Sequence, residues 1–105
     1  MYKVIRKSEA KERSVGETKS VFDYVTKEIS PAISFVIVKN VGDWGETISK
    51  YNRIYFVLEG TLKLKFQDKE VALEPWDSCF VDKDTKFNFA GDCHVIVVDS
   101  PAHGS

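Results

Sequence analysis

Cysteine, histidine and net charge are all scarce in this 105-residue sequence. There are two cysteines, Cys79 and Cys93, and two histidines, His94 and His103. Two cysteines cannot build a disulfide framework. In a reducing compartment each reads as a small buried hydrophobe. The four residues do not follow a zinc-binding spacing either. Lys and Arg number 15 against 16 Asp and Glu, a formal charge of −1. Nucleic acid and anionic membrane surfaces are poor partners for such a balance, since both call for a basic face. No apolar run approaches the ~20 residues that span a bilayer. Residues 1–7 lack the apolar stretch of a signal peptide, so a cytoplasmic location is expected. No Ser-His-Asp set, phosphate loop or paired-carboxylate signature is present, and no catalytic residue is assigned.

What the sequence has is strand pattern. Residues 33–38 and 53–58 are rich in β-branched and aromatic side chains, the second apolar on both faces after Arg53. Residues 61–66 alternate strictly, with Leu62, Leu64 and Phe66 on one face, and 70–74 resume the alternation after Gln67-Asp68-Lys69. These two arms read as a hairpin. Shorter strands follow at 78–81, 86–89 and 94–98, and Pro101 ends the last, leaving a loose tail that holds His103. Near the start, residues 2–6 read as an edge strand, Ser8 as the cap of a helical turn over 9–12, and 21–25 as a strand. The six basic and three acidic residues of positions 1–20 read as a solvated face. Short strands broken by turns every 8–12 residues predict one all-β domain over residues 1–105.

The segment Ile54-Tyr55-Phe56-Val57-Leu58-Glu59-Gly60 resembles the first motif of the cupins, small jelly-roll barrels. Leu73-Glu74-Pro75-Trp76-Asp77-Ser78-Cys79-Phe80-Val81 is similar to their second motif, "L-x-P-G-D-x-V-x-I", and residues 82–87 to the "P-x-G-T-x-H" that follows. The resemblance covers about residues 33–101 and implies a double-stranded β-helix. On it, Trp76 and Asp84 stand where the family has glycine. The family's metal ligands are missing. The Glu position falls on Arg53, the His pair on Thr47 and Ser49 (or Glu46 and Ile48), and the second-motif His on Phe87. A divalent metal needs several carboxylate, imidazole or thiolate donors, so no metal and no other cofactor are expected.

If Arg53 points into the barrel, strand alternation turns Tyr55 inward too. With Thr47, Ser49 and Phe87 they form the expected ligand pocket. Arg53 reads as an anchor for an anionic ligand, as half of an internal ion pair with Glu46, Asp82 or Asp84, or, with a one-residue register shift, as a solvent-facing residue. Trp44 is placed in a loop, as a lid or an anchor. Phe22, Phe35, Phe56, Phe66, Phe80 and Phe89 read as packing. Three functions follow: a metal-free binder of an anionic or sugar-like small molecule, a metal-independent sugar isomerase or epimerase using Tyr55 with His94 or Glu46, or a metalloenzyme with ligands from Glu46, Cys79 and His94. Pairing of sheet faces, or addition of residues 2–6 or 21–25 to a partner's sheet edge, predicts a homodimer.

Overall fold

Alternation with frequent turn signals commits the chain to strands, and ten form. In the computed structural model, which describes residues 1–105, they are β1 (Lys11–Val15), β2 (Lys19–Val25), β3 (Ser34–Asn40), β4 (Asp43–Ile48), β5 (Asn52–Gly60), β6 (Leu62–Lys65), β7 (Glu70–Leu73), β8 (Ser78–Val81), β9 (Lys86–Ala90) and β10 (Cys93–Ser100). They make two antiparallel sheets, ordered β1-β2-β3-β10-β5-β8 and β4-β9-β6-β7. This is the all-β jelly-roll expected from the sequence. The hairpin forms as read, Leu62 opposite Leu73 and Leu64 opposite Val71, closed by Phe66 N donating to Lys69 O.

The core lies between the sheets. Val38, Tyr55, Val57, Val95 and Val97 face inward from the larger sheet, and Leu62, Leu64, Phe87 and Phe89 from the smaller. At ~25 cal/mol per Å² of apolar surface removed from water, this layer is the main term favouring the fold. Gly60 and Gly91 let the sheets meet at one end. A Cβ on Gly60 would sit 2.0 Å from Asp92 O, and one on Gly91 2.2 Å from Thr61 O.

The opposite face of the larger sheet is also apolar. Cross-strand pairs run Phe22–Ile37, Ile37–Ile96 and Ile96–Phe56, and beside them Phe35–Val98, Val98–Ile54 and Ile54–Phe80. An antiparallel sheet with one solvated face normally places polar residues there.

Several expectations for the first 30 residues are corrected. Residues 2–6 form no strand, and the only helical turn is a 3-10 turn at Lys7–Glu9, not 9–12. The first strand is instead β1, whose first four residues are exposed and polar, so no apolar alternation marked it. β2 is not an edge strand, since β1 covers it. Trp44 lies in β4, not in a loop. Phe80 is 60% exposed and does not belong to the core. The tail is tied down: Ala102 is buried, its N–H donating to Pro31 O, and Gly104 N donates to the Tyr51 hydroxyl.

The two glycine positions of the family's second motif keep their backbone without the glycine. Trp76 has φ +75° and Asp84 φ +71°. Both positions thus take the left-handed backbone that glycine adopts freely, with a side chain in place.

Candidate functional site

Position 53 points into the barrel because β5 alternates around Tyr55 and Val57. Its guanidinium meets an acid that β10 brings alongside, since Arg53 and Asp99 are cross-strand neighbours. Arg53 Nε donates to Asp99 Oδ1 at 2.6 Å and Nη2 to Oδ2 at 2.9 Å, a two-point pair. Nη1 donates to the Tyr55 hydroxyl at 3.1 Å. His103 Nδ1 lies 3.5 Å from Asp99 Oδ2. The internal partner of Arg53 is thus Asp99, and not Glu46, which faces Lys86 at 3.5 Å, nor Asp82 or Asp84.

These groups tune one another. Burial alone would raise the Asp99 carboxyl, but the His103 imidazole and the Arg53 guanidinium outweigh it and hold it below the usual carboxylate range. Burial would lower Arg53, yet the Asp99 carboxylate and the Tyr55 oxygen keep it firmly protonated. Burial raises the Tyr55 hydroxyl, against the pull of Arg53, so it stays a neutral donor.

The group stands at one side of an open cavity of about 200 Å³ between the sheets. Val36, Val38, Val95 and Val97 supply an apolar wall, and Tyr55, Trp44 and Phe89 an aromatic one. Arg13 and Lys19, from β1 and β2, line the remainder. The charges of positions 1–20 lie on the exposed face expected of them except Lys19, which is half-buried at the cavity, while Arg13 borders it and stays exposed. Gly16 in the β1–β2 turn makes room for Trp44, whose Cη2 would lie 3.1 Å from a Cβ there.

Arg13 is paired, Nε to Asp23 Oδ2 at 2.8 Å. Lys19 is not: its ammonium lies 4.6 Å from the Trp44 ring centre and 5.2 Å from that of Phe89, with no carboxylate in ion-pair contact. The cavity therefore carries one cation more than its acids balance.

Of the five expected pocket residues, Arg53 and Tyr55 line this cavity. Phe87 is buried behind Tyr55, their ring centres 6.2 Å apart. Thr47, opposite Phe87 in β4, and Ser49 do not line it. Ser49 is buried and donates to Tyr51 O at 2.6 Å, while its own N–H donates to Thr85 O. Glu46 and His94 lie outside the cavity too, His94 beside Glu59 at 3.2 Å. Sequence reasoning left Arg13, Lys19, Phe89, Asp99 and His103 out of the pocket, and singled out Trp44 only as a lid or an anchor. Phe89 carried a signal, its alternation with Phe87.

The cupin metal does not fit these residues. No three His, Cys, Asp or Glu side chains converge anywhere in the chain. The Arg53–Asp99 pair fills the position where the resemblance would place the Glu ligand, and an Arg offers a cation no lone pair.

No protein-family model and no curated protein matches the sequence. Solved structures do match. KdgF from Halomonas sp. covers 99% of this chain and 97% of its own, at 17% identity and TM-score 0.85. Pac13, described as a nucleoside dehydratase, covers 99% and 86% at 15% identity and TM-score 0.84. A Streptomyces Pac13 variant was solved with uridine. RemF, a polyketide cyclase from Streptomyces resistomycificus, covers 100% and 83% at 16% identity and TM-score 0.77. At these identities the likeness is one of fold. The chain has the cupin-type jelly-roll fold of these neighbours, without a cluster of metal-ligating groups.

Proposed function

We propose that this protein binds a small anionic organic molecule in the cavity between its sheets, with no metal. The observation that carries this is Lys19, a cation on the cavity wall without an acid partner. An incoming carboxylate or phosphate would complete the charge balance, while the valine and aromatic walls take the apolar part of the ligand. The volume of about 200 Å³ exceeds the ~150 Å³ of an engineered cavity that holds benzene, so a guest the size of a sugar acid suits it. Arg53 acts through its pair with Asp99, presenting a polar pole rather than a free charge.

A second reading, a metal-independent enzyme of the isomerase or epimerase type, is favoured by one feature. The Tyr55 hydroxyl, the Asp99 carboxylate and the His103 imidazole meet at the same end of the cavity, and all three can hold or pass protons. Neighbours described as a dehydratase and a cyclase are in keeping with it.

The proposal extends to a homodimer built on the apolar outer face of the larger sheet, and to a reducing, cytoplasmic setting, which suits two free cysteines. No helix is long and apolar enough to cross a membrane.

The test is a titration of chelator-treated protein with paired ligands, sugar acids against the matching neutral sugars, followed by amide NMR shifts. Binding of the acids alone, lost in Lys19→Met, is the expected result. Equal binding of the neutral partners, or full binding by Lys19→Met, would overturn it. Turnover of any acid in the same samples would establish the enzymatic reading.

A further inference from the structure

Lys19 has a second property that charge balance does not use. Its amine is walled by the Trp44 and Phe89 rings at 4.6 and 5.2 Å and faces the open cavity. The charged and titratable groups around it are Arg13 on β1, Asp23 on β2, Arg53 on β5, Asp99 on β10 and His103 in the tail, while β3, β4 and β9 present Val36, Val38, Trp44 and Phe89 to the cavity. Both carboxylates are already engaged, Asp23 by Arg13 and Asp99 by Arg53 and His103. Lys19 therefore has cations beside it and no acid to hold its proton.

We infer that Lys19 is a nucleophilic amine that captures a carbonyl compound bearing an anionic group, by forming an imine in the cavity. This rests on the anion-binding reading above and names its ligand class as aldehydes or ketones with a carboxylate. An amine becomes a nucleophile when it is desolvated in an apolar pocket or placed beside another cation, and Lys19 meets both conditions. Burial, then the charges of Arg53 and Arg13, push its ammonium below the usual lysine range. An ordinary lysine, with a pKa of ~10.4, is uncharged in only about one molecule in 2,500 at pH 7, so any lowering enriches the reactive form.

The step balances without a further reactant. The Lys19 nitrogen lone pair adds to the carbonyl carbon, and the C=O π pair moves to oxygen. The nitrogen gives up its two protons, the oxygen leaves as water, and a C=N bond remains. Protonated, that imine keeps the positive charge on Lys19, so the ligand's carboxylate stays balanced. Tyr55 offers a neutral hydroxyl on the same cavity as a proton donor to the departing oxygen.

The experiment is reductive trapping of the whole protein. Glyoxylate and cyanoborohydride are added at pH 7, and peptide mass mapping gives the rate at each of the twelve lysines. Cyanoborohydride supplies the hydride that turns the imine into a stable secondary amine. Lys19 should be modified at least tenfold faster than any of the other eleven. Labelling ordered by exposure, with Lys19 not leading, would overturn the inference. Propanal, which lacks the carboxylate, separates the two readings. If it labels Lys19 as selectively as glyoxylate does, the imine stands and the preference for an anion falls. Sugar acids still binding to wild type, with no Lys19 trapping in the same protein, would sink the imine and leave anion binding intact.

Discussion

Arg53 and Asp99 form a pair whose worth lies in its completeness. Asp99 keeps only 4% of its side chain exposed and Arg53 18%. Arg53→Ala strands a buried carboxylate, and should cost about 3 kcal/mol, read as a lower urea midpoint. Arg53→Met with Asp99→Leu removes both charges together, and should be less unstable than Arg53→Ala. The pair also sets an acid limit. An unfolded carboxyl titrates near ~3.9, and Asp99 is held lower when folded. Its contribution is therefore complete above the unfolded value and is lost as pH falls through the folded one. Melting temperatures should drop below pH ~4 in wild type, with a shallower fall in Asp99→Asn; equal slopes would count against the pair. The motif position of Arg53 suggested an inward turn, and alternation then placed Tyr55 beside it, but the apolar residues on both faces of the strand left the register open. Its partner was not legible, because Asp99 lies 46 residues away and only the insertion of β10 between β3 and β5 brings it alongside.

Among elements, the loop before β8 carries a backbone conformation that its residue resists. Trp76 holds a left-handed backbone that side chains resist by ~1–2 kcal/mol. Its ring, 79% exposed, meets Phe56 edge-on with centres 5.4 Å apart. Removing the ring by Trp76→Gly or Trp76→Ala loses that contact equally, so the two variants differ by the backbone alone. Trp76→Gly should be the more stable by about 1 kcal/mol, measured by urea unfolding at concentrations where only monomer is present. The reverse order would mean that the loop relaxes. The motif told where this loop falls, since a glycine position is a statement about φ. β1 and β4 were less legible. The first is polar in all but its last residue, Val15, and the second is punctuated by Gly45, with a register shift against β9 between Asp43 and Gly45.

The whole molecule shows water an apolar sheet face that its sequence declared in advance, through runs such as Ile54-Tyr55-Phe56-Val57-Leu58. Phe80 and Ile54 are 60% and 43% exposed, and Trp76 adds its ring at the margin. At ~150–250 Å² for a large aromatic side chain, these residues and their half-buried neighbours offer on the order of 700 Å². A standard interface takes ~800 Å² from each partner, so a second copy related by a two-fold axis would cover the face. Light scattering at tens of micromolar should return a dimer mass, and Phe80→Glu should weaken association at least tenfold by placing a charge in that contact. A monomeric wild type would rule out this assembly. The barrel as a whole was readable because its signals are local: alternation, turns and motif order. The cavity was read only in part, because half its polar groups come from the ambiguous first 20 residues and from a tail that hydrogen bonds hold in place.

The placement of the two tryptophans gives the molecule an optical readout. Trp76 stands at the margin of the outer sheet face and does not line the cavity, so its emission carries no report of a guest there. Trp44 is half-buried in the cavity wall with the Lys19 ammonium over its ring, and indole emission responds to nearby charge and polarity. In a Trp76→Phe background all tryptophan light comes from the cavity wall. A guest that draws Lys19 off the ring and expels water alters that light directly. The protein thus reports the filling of its own cavity by fluorescence, with no label attached.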